Sequence, residues 1–419
     1  MKDVFGISTD VPKHTYVDRQ LLDRKFEHYL ESQKHIVLHG ASKQGKSCLR
    51  RKNILENNCV VVHCAPHMAQ LEDVWSAALE QMGVSVVLHK TTTETLEREK
   101  NVGTEAKAAV LGFGGGVETN DREGKEYSHA EEQEKIKSGS LLPVLTDKLR
   151  EARRRLVLED FHYLPDKVRH DVAFGLKALY EARTYAVVVG IWSEQNLLTY
   201  YNGDLTGRVE EINLTWTEDE LDKVLAKGED VLNVEFAPGL RRQLVESAFE
   251  NVGLLQRLTE KICIEAAIYE SQENKKTLSD IDLLKTAREK IVQDIRQRYV
   301  KIAEVFHEGL RAGSELLLYA RIYNELIDAG DEELIGGISR SELFKRMLAH
   351  NTSAKDIRQT DLTQILDRIE RLQAERGITP LLVSYSRDLE RLFLNDREFL
   401  FYRKYSGDDK NSLKLELES

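Results

Sequence analysis

A largely apolar run, His35-Ile36-Val37-Leu38-His39, leads straight into Gly40-Ala41-Ser42-Lys43-Gln44-Gly45-Lys46-Ser47. This pattern, glycine, four residues, then Gly-Lys-Ser, constrains the fold more than any other feature of the chain. A buried strand must end, a glycine-rich turn must follow, and a helix must begin at the lysine-serine pair. The glycines let the backbone curl so that successive N–H groups from Gly40 through Cys48 face one point. The helix N-terminus adds its partial positive charge there. The expected occupant is the phosphate chain of a nucleoside triphosphate. Lys46 would bridge its β- and γ-phosphates, and the Ser47 hydroxyl would ligate Mg²⁺.

A phosphate loop requires an acidic group on a neighbouring strand. Arg155-Leu156-Val157-Leu158-Glu159-Asp160 supplies an apolar run ending in two carboxylates. One should hold the metal and the other polarise the attacking water. By position Glu159 takes the metal side, with Ser47, and Asp160 the water. The order is the reverse of the usual Asp-Glu, so which of the two polarises the water stays open. His162, just beyond, is a candidate to orient the pair or a hydrogen-bonded structural residue.

Further strands and helices extend the same theme. Val60-Val61-Val62 and Tyr185 to Ile191 are solid apolar runs, while Leu71 to Met82, Leu141 to Ala152 and Asp166 to Glu181 have helical spacing. Apolar strands alternating with helices predict a parallel sheet covered on both faces. This α/β core is expected over residues 1–216, with an insertion at about 90–137 where threonines, glycines and charges break any period. A plain loop is the alternative there.

From Thr217 the pattern is helical to about Ala329, which predicts a helical lid with connecting helices over 217–330. Over 331–405, helices at Ser339 to Leu348 and Asp361 to Glu375 precede two short strands, Leu381 to Tyr385 and Leu392 to Leu394. Two helices and a hairpin match a winged-helix-like domain. Phe399, Phe401, Tyr402 and Tyr405 alternate with Arg397, Arg403 and Lys404, which fits the last core element or a nucleic-acid surface. The polar end, 406–419, is expected to be a flexible tail.

Composition narrows the class. With 419 residues the chain has room for two or three domains. A net charge of −11 argues against a wholesale nucleic-acid coat and leaves a local basic face open. The four cysteines, Cys48, Cys59, Cys64 and Cys263, lack paired metal spacing and suit a reducing cytoplasm. No apolar run reaches a membrane span, so no membrane partner is expected.

With loop, acidic strand and C-terminal helices in place, the chain resembles the AAA+ ATPases and their STAND relatives. The closer likeness is to the branch with origin-recognition initiators and transposition ATPase regulators. Several further residues carry the resemblance. Tyr16-Val17-Asp18-Arg19 sits where that family has a box near the adenine. Ser193, after Ile191-Trp192, sits at the polar sensor position, although a tryptophan before it is unusual. Arg208, in Leu205-Thr206-Gly207-Arg208-Val209, takes the place of an arginine finger reaching a neighbouring subunit's γ-phosphate. Arg257, in Asn251-Val252-Gly253-Leu254-Leu255-Gln256-Arg257, resembles the lid's nucleotide-sensing arginine, one place from the initiator spacing.

The resemblance implies an ATP- and Mg²⁺-dependent ATPase that works as a homo-oligomeric switch, with a protein partner supplying any effector activity. It allows a place in prokaryotic mobile-element or phage-defence systems. An initiator-like alternative binds DNA through residues 331–405. Its candidate helix mixes Arg368, Arg371 and Arg376 with Asp367, Glu370 and Glu375, a poor phosphate tracker. A third possibility is a nucleotide-binding interaction protein with negligible turnover.

Overall fold

A computed structural model describes residues 3–7, 10–84, 86, 141–193, 195–309, 317–349, 357–407 and 410–417. The expected insertion at 90–137 lies outside these residues. Five strands, β1 (His35–His39), β2 (Cys59–His63), β3 (Arg155–Glu159), β4 (Ala186–Val189) and β5 (Val209–Asn213), form a parallel sheet in the order β2-β3-β4-β1-β5. Ile36 pairs with Val187, and Leu156 with Ala186. Alternation along the strands divides the core in two. Val37, Val60, Leu156, Leu158 and Val188 face one apolar cluster, while Ile36, Leu38, Val157, Val187 and Val189 face another.

Helices α1 (Gln20–Glu31), α2 (Lys46–Asn53), α3 (Leu71–Glu80), α4 (Leu141–Ala152), α5 (Asp166–Glu181) and α6 (Leu197–Tyr201) accompany the sheet. The expected doubly covered parallel sheet is therefore present. Because β4 lies between β1 and β3, the strand carrying the sensor position separates the phosphate loop from the acidic pair.

The lid comprises α7 (Glu218–Leu232), β6 (Val234–Phe236), α8 (Pro238–Glu246), α9 (Val252–Glu265), β7 (Lys276–Leu278) and the long α10 (Ile281–Glu308). Thr217 caps α7 through a capping box with Glu220. One correction concerns the N-terminus. Val4, Phe5 and Val17 join the lid's apolar cluster rather than the sheet's.

Beyond α10 come α11 (Leu318–Asp328), α12 (Asp331–Gly336), β8 (Ile338–Ser339), α13 (Arg340–Ala349), α14 (Gln359–Leu366), α15 (Ile369–Glu375), β9 (Val383–Ser386), β10 (Arg391–Leu394) and α16 (Glu398–Tyr405). The small antiparallel sheet runs β8-β10-β9. Helices, a strand, three helices (α13, α14 and α15) and a hairpin follow in that order, a winged-helix-like connectivity.

Two expectations fail here. The single helix over Asp361 to Glu375 breaks at Asp367-Arg368 into α14 and α15, with Asp367 turned out to Arg387 at 2.8 Å and Leu366 and Ile369 both buried. The tail after Ser406 is not all free. Lys410–Leu413 forms a 3₁₀ turn, and Leu415 exchanges backbone hydrogen bonds with the Asn324 side chain at 2.8 and 3.0 Å.

The aromatic run near the end is core. Phe399, Phe401 and Tyr402 are buried in α16, and Tyr402 stacks on Tyr299 of α10 at 4.7 Å. One continuous apolar cluster runs from α7 through α10 and α11 to α16. Lid and winged helix thus share a core, whereas the links from the winged helix to the sheet domain include several polar ones.

Candidate nucleotide site

The loop after β1 has the conformation its glycines permit. Gly40 lies at φ 129°, where an added Cβ would meet the Leu214 carbonyl at 2.6 Å. Gly45 is left-handed at φ 82° and caps α2. Among the described residues, nothing accepts from the N–H groups of Gly45, Lys46, Ser47 and Cys48. Four unpaired donors at one helix N-terminus are an anion cradle.

The rest of the loop is held from behind. Trp216 Nε1 donates to the Gln44 carbonyl at 3.0 Å, Gln44 Nε2 donates to the Glu250 carbonyl at 3.0 Å, and Asn251 Nδ2 reaches the Ser42 carbonyl at 3.3 Å. Ala41 packs as a buried loop residue, and Cys48 is half-buried on the first turn of α2.

Lys46 is buried and folds back onto the Gly40 and Ala41 carbonyls at 3.1 and 2.6 Å. Burial lowers its pKa to about 7, against the opposing pull of Asp160 and Glu159. An anion beside it would raise that pKa again.

The acidic pair separates into two environments. Glu159, 4% exposed, accepts from the Ser47 hydroxyl at 3.0 Å on one oxygen and from Arg50 Nε at 3.1 Å on the other. Hydroxyl and carboxylate are hard oxygen donors, the set Mg²⁺ takes alongside water, so Ser47 and Glu159 fit the metal. Asp160 adopts a left-handed backbone at φ 59°, and no side-chain hydrogen bond holds its carboxylate among the described residues. Burial, then the Glu159 charge, raises its pKa. A carboxylate raised and left free suits a base.

Arg50, its side chain 1% exposed, bridges Glu159 and Glu56 and was missed from the sequence. Its position is legible in hindsight, since Lys46, Ser47 and Arg50 share one face of α2 by helical spacing.

The lid and the winged helix close over the loop. The Asn395 carbonyl accepts from the Ser42 N–H at 2.9 Å. Glu398, at the start of α16, accepts from Lys43 Nζ at 2.7 Å and Arg257 Nη1 at 2.6 Å, with Arg298 at 3.7 Å. Burial alone would raise the Glu398 carboxyl, but Lys43, then Arg257 and Arg298, hold it below the ordinary carboxylate range. Arg257 also meets Asp294 at 3.6 Å. The structure therefore brings Arg257 one carboxylate away from the phosphate loop.

The remaining sequence candidates scatter more. Ser193 follows β4 and has no side-chain hydrogen bond among the described residues. Trp192 before it is buried, stacks on His39 at 5.7 Å, and covers Gly190, where a Cβ would lie 2.0 Å from its ring. His162 is buried, accepts from the Ile191 N–H at 3.2 Å, and its pKa falls to about 3 through burial, then Lys46 and Arg169. Tyr16-Val17-Asp18-Arg19 runs beside α2, where Lys52 pairs with Asp18 and Asp23 and Arg19 lies over Trp216 at 4.3 Å. Arg208 precedes β5 at the end of the sheet away from the loop, its carbonyl accepting from the His35 N–H and its guanidinium near Glu181 at 3.8 Å. It does not reach the loop of its own chain.

The sheet order and the loop geometry, with a helical domain beside them, define a P-loop fold. Among solved structures, the Walker-type ATPase of Pyrococcus abyssi matches with a TM-score of 0.54 at 14% identity, covering 96% of this chain and 99% of its own. The Orc1 protein of Aeropyrum pernix, solved in complex with DNA, matches at a TM-score of 0.43 and 13% identity over 95% of each chain. No family model and no curated protein matches the sequence. These likenesses concern the fold alone. No helix among the described residues is long and apolar enough to cross a membrane.

Proposed function

We propose that the chain binds ATP with Mg²⁺, hydrolyses it, and uses its nucleotide state to set whether the winged-helix domain is docked on the loop. The observation that carries this is Glu398, which occupies Lys43 of the loop and Arg257 of the lid at once. A γ-phosphate seeks the same two cations, so nucleotide and Glu398 compete for one charge set. Lid and winged helix share an apolar core, so the docking in question is that of both on the loop.

Within this function Lys46 and the free N–H groups hold the phosphates, and Ser47 with Glu159 holds the ion. The ion supplies charge neutralisation at the transferring phosphoryl group. Asp160 takes the proton of the attacking water. Arg208, on the far end of the sheet, serves a neighbouring subunit, which makes a homo-oligomer the working form.

An effector protein is the partner that suits the released domain better than DNA, because Arg368 and Arg371 on α15's side are interleaved with Asp367, Glu370 and Glu375. Calorimetric titration of ATP with Mg²⁺ into wild type and Lys46→Ala, paired with phosphate release, tests the core of the proposal. Wild-type protein that neither binds nor turns over ATP overturns it.

A further inference from the structure

The chain ends on a seat of its own. Beyond α16, Ser412 to Leu415 lie against α10 and α11 and line with them an open hollow of about 350 Å³. On α10 the wall is a stripe at helical spacing, Arg296, Tyr299, Val300, Ala303 and His307, joined by Tyr323 of α11 and Tyr402 of α16.

Asn324 of α11 holds this segment by its main chain. Its Oδ1 accepts from the Leu415 N–H at 2.8 Å, and its Nδ2 donates to the Leu415 carbonyl at 3.0 Å. Both bonds go to one residue, the pattern that facing residues of an antiparallel ladder exchange, and neither reads a side chain. A grip on the main chain with separate seats for side chains is how extended peptides are recognised. The side chains supply the second part. Leu413 and Leu415, two positions apart, pack on the apolar cluster shared by lid and winged helix. Lys414 between them pairs with Asp328 at 2.8 Å, one turn beyond Asn324 on α11.

The fit is incomplete. Leu413 and Leu415 are only partly buried, Val300 in the wall is 39% exposed, and the hollow stays open beside the tail. A segment fitted for packing alone would close such space, because unfilled apolar wall forfeits contacts. The helices set Glu304, Glu308 and Asp328 here against Arg296, an acidic balance that suits a basic residue at the centre of the occupant.

We propose that this seat docks an extended segment of a partner protein, with two apolar side chains two positions apart and a lysine or arginine between them. The C-terminal segment holds the seat until the partner displaces it. Its attachment to α16 gives it a high effective concentration, and the incoming segment offsets that advantage by filling the hollow. The proposal stands apart from the nucleotide reading.

A fluorescent peptide with Leu-Arg-Leu between glycines and serines is the probe, read by anisotropy against the full chain. It binds saturably to Leu413→Ser/Leu415→Ser, whose own tail is released, and at least about tenfold more weakly to wild type. Lys414→Glu, which turns the pairing with Asp328 into repulsion, releases the tail by another route and covers a misfolded double variant. Adding Asn324→Ala to either variant weakens the binding at least about tenfold, and the same peptide with serines for leucines does not bind. Absence of saturable binding up to about 1 mM in both released variants overturns the proposal. So does equal binding of the serine peptide, or equal affinity for wild type and the released chains. Light scattering supplies the last test, since an assembly that falls apart when the tail is released gives the seat to a second copy's tail and overturns the partner.

Discussion

Glu398→Gln tests the competition at the loop most directly. Removing one partner of a buried ion pair costs about 3–5 kcal/mol when the other is stranded. Only Lys43, 31% exposed, pairs with Glu398 across to the loop, because Arg257 and Arg298 belong to the lid that shares a core with the winged helix. Lys43 can turn to water, and glutamine still accepts hydrogen bonds, so about 1 kcal/mol of docking is the fair figure. That is about 5-fold in the docking equilibrium. ATP no longer has to displace a charged competitor, so its affinity rises by up to the same factor.

Titration of ATP into wild type and variant reads the affinity, and amide exchange at α16 reads the docking. Unchanged affinity together with unchanged α16 protection would refute the reasoning. Acid should mimic the variant. The Glu398 pKa is depressed in the fold, so its stabilisation is complete above the ordinary carboxylate range and is lost as pH falls through the depressed value. Glu398→Gln should lack that acid limb.

Other outcomes follow from the same geometry. Lys46→Ala abolishes tight ATP binding in calorimetry and keeps the fold by circular dichroism. Because free Lys46 titrates at about 7, ATP binding above that pH takes up a proton, visible as a dependence of binding enthalpy on buffer ionisation. Asp160→Asn retains ATP and slows phosphate release by about 100-fold or more, whereas Glu159→Gln weakens Mg²⁺-dependent binding; the opposite pattern exchanges the two roles. Arg208→Ala binds ATP normally but loses about 10³-fold in turnover, and wild-type specific activity climbs with protein concentration. Activity per subunit that is flat on dilution, with a harmless Arg208→Ala, removes the finger. Arg50→Ala leaves Glu159 buried without its cation and destabilises by about 3 kcal/mol, read as a lower thermal midpoint.

Local rules made the sheet domain legible. Four of the five strands have solid apolar centres, Val209-Glu210-Glu211-Ile212-Asn213 being the exception, and the Gly-Lys-Ser turn announces both a strand end and a helix start. The α7 boundary follows from the Thr217–Glu220 box. What escaped was long-range. Nothing periodic marks Glu398 as the partner of Lys43, 355 positions away. Nor does spacing show that Val4 and Phe5 pack into the lid. The helix over Asp361 to Glu375 has an unbroken apolar stripe, yet it divides at Asp367, whose side chain pairs outward with Arg387. Trp192 looked out of place at a strand end, and the space above Gly190 accommodates it.

The 355 positions between Lys43 and Glu398 also have a meaning in time. A ribosome adding about 5–20 residues per second needs roughly 20–70 s to travel from one to the other. The strand, loop and acidic pair can assemble well before the residue that competes for the loop is made. A cell rich in ATP would therefore fill the cradle on the nascent chain, and the last helix would be made with its docking place already taken. The newly made protein would then begin its life undocked and reach the docked arrangement only once that first nucleotide is spent.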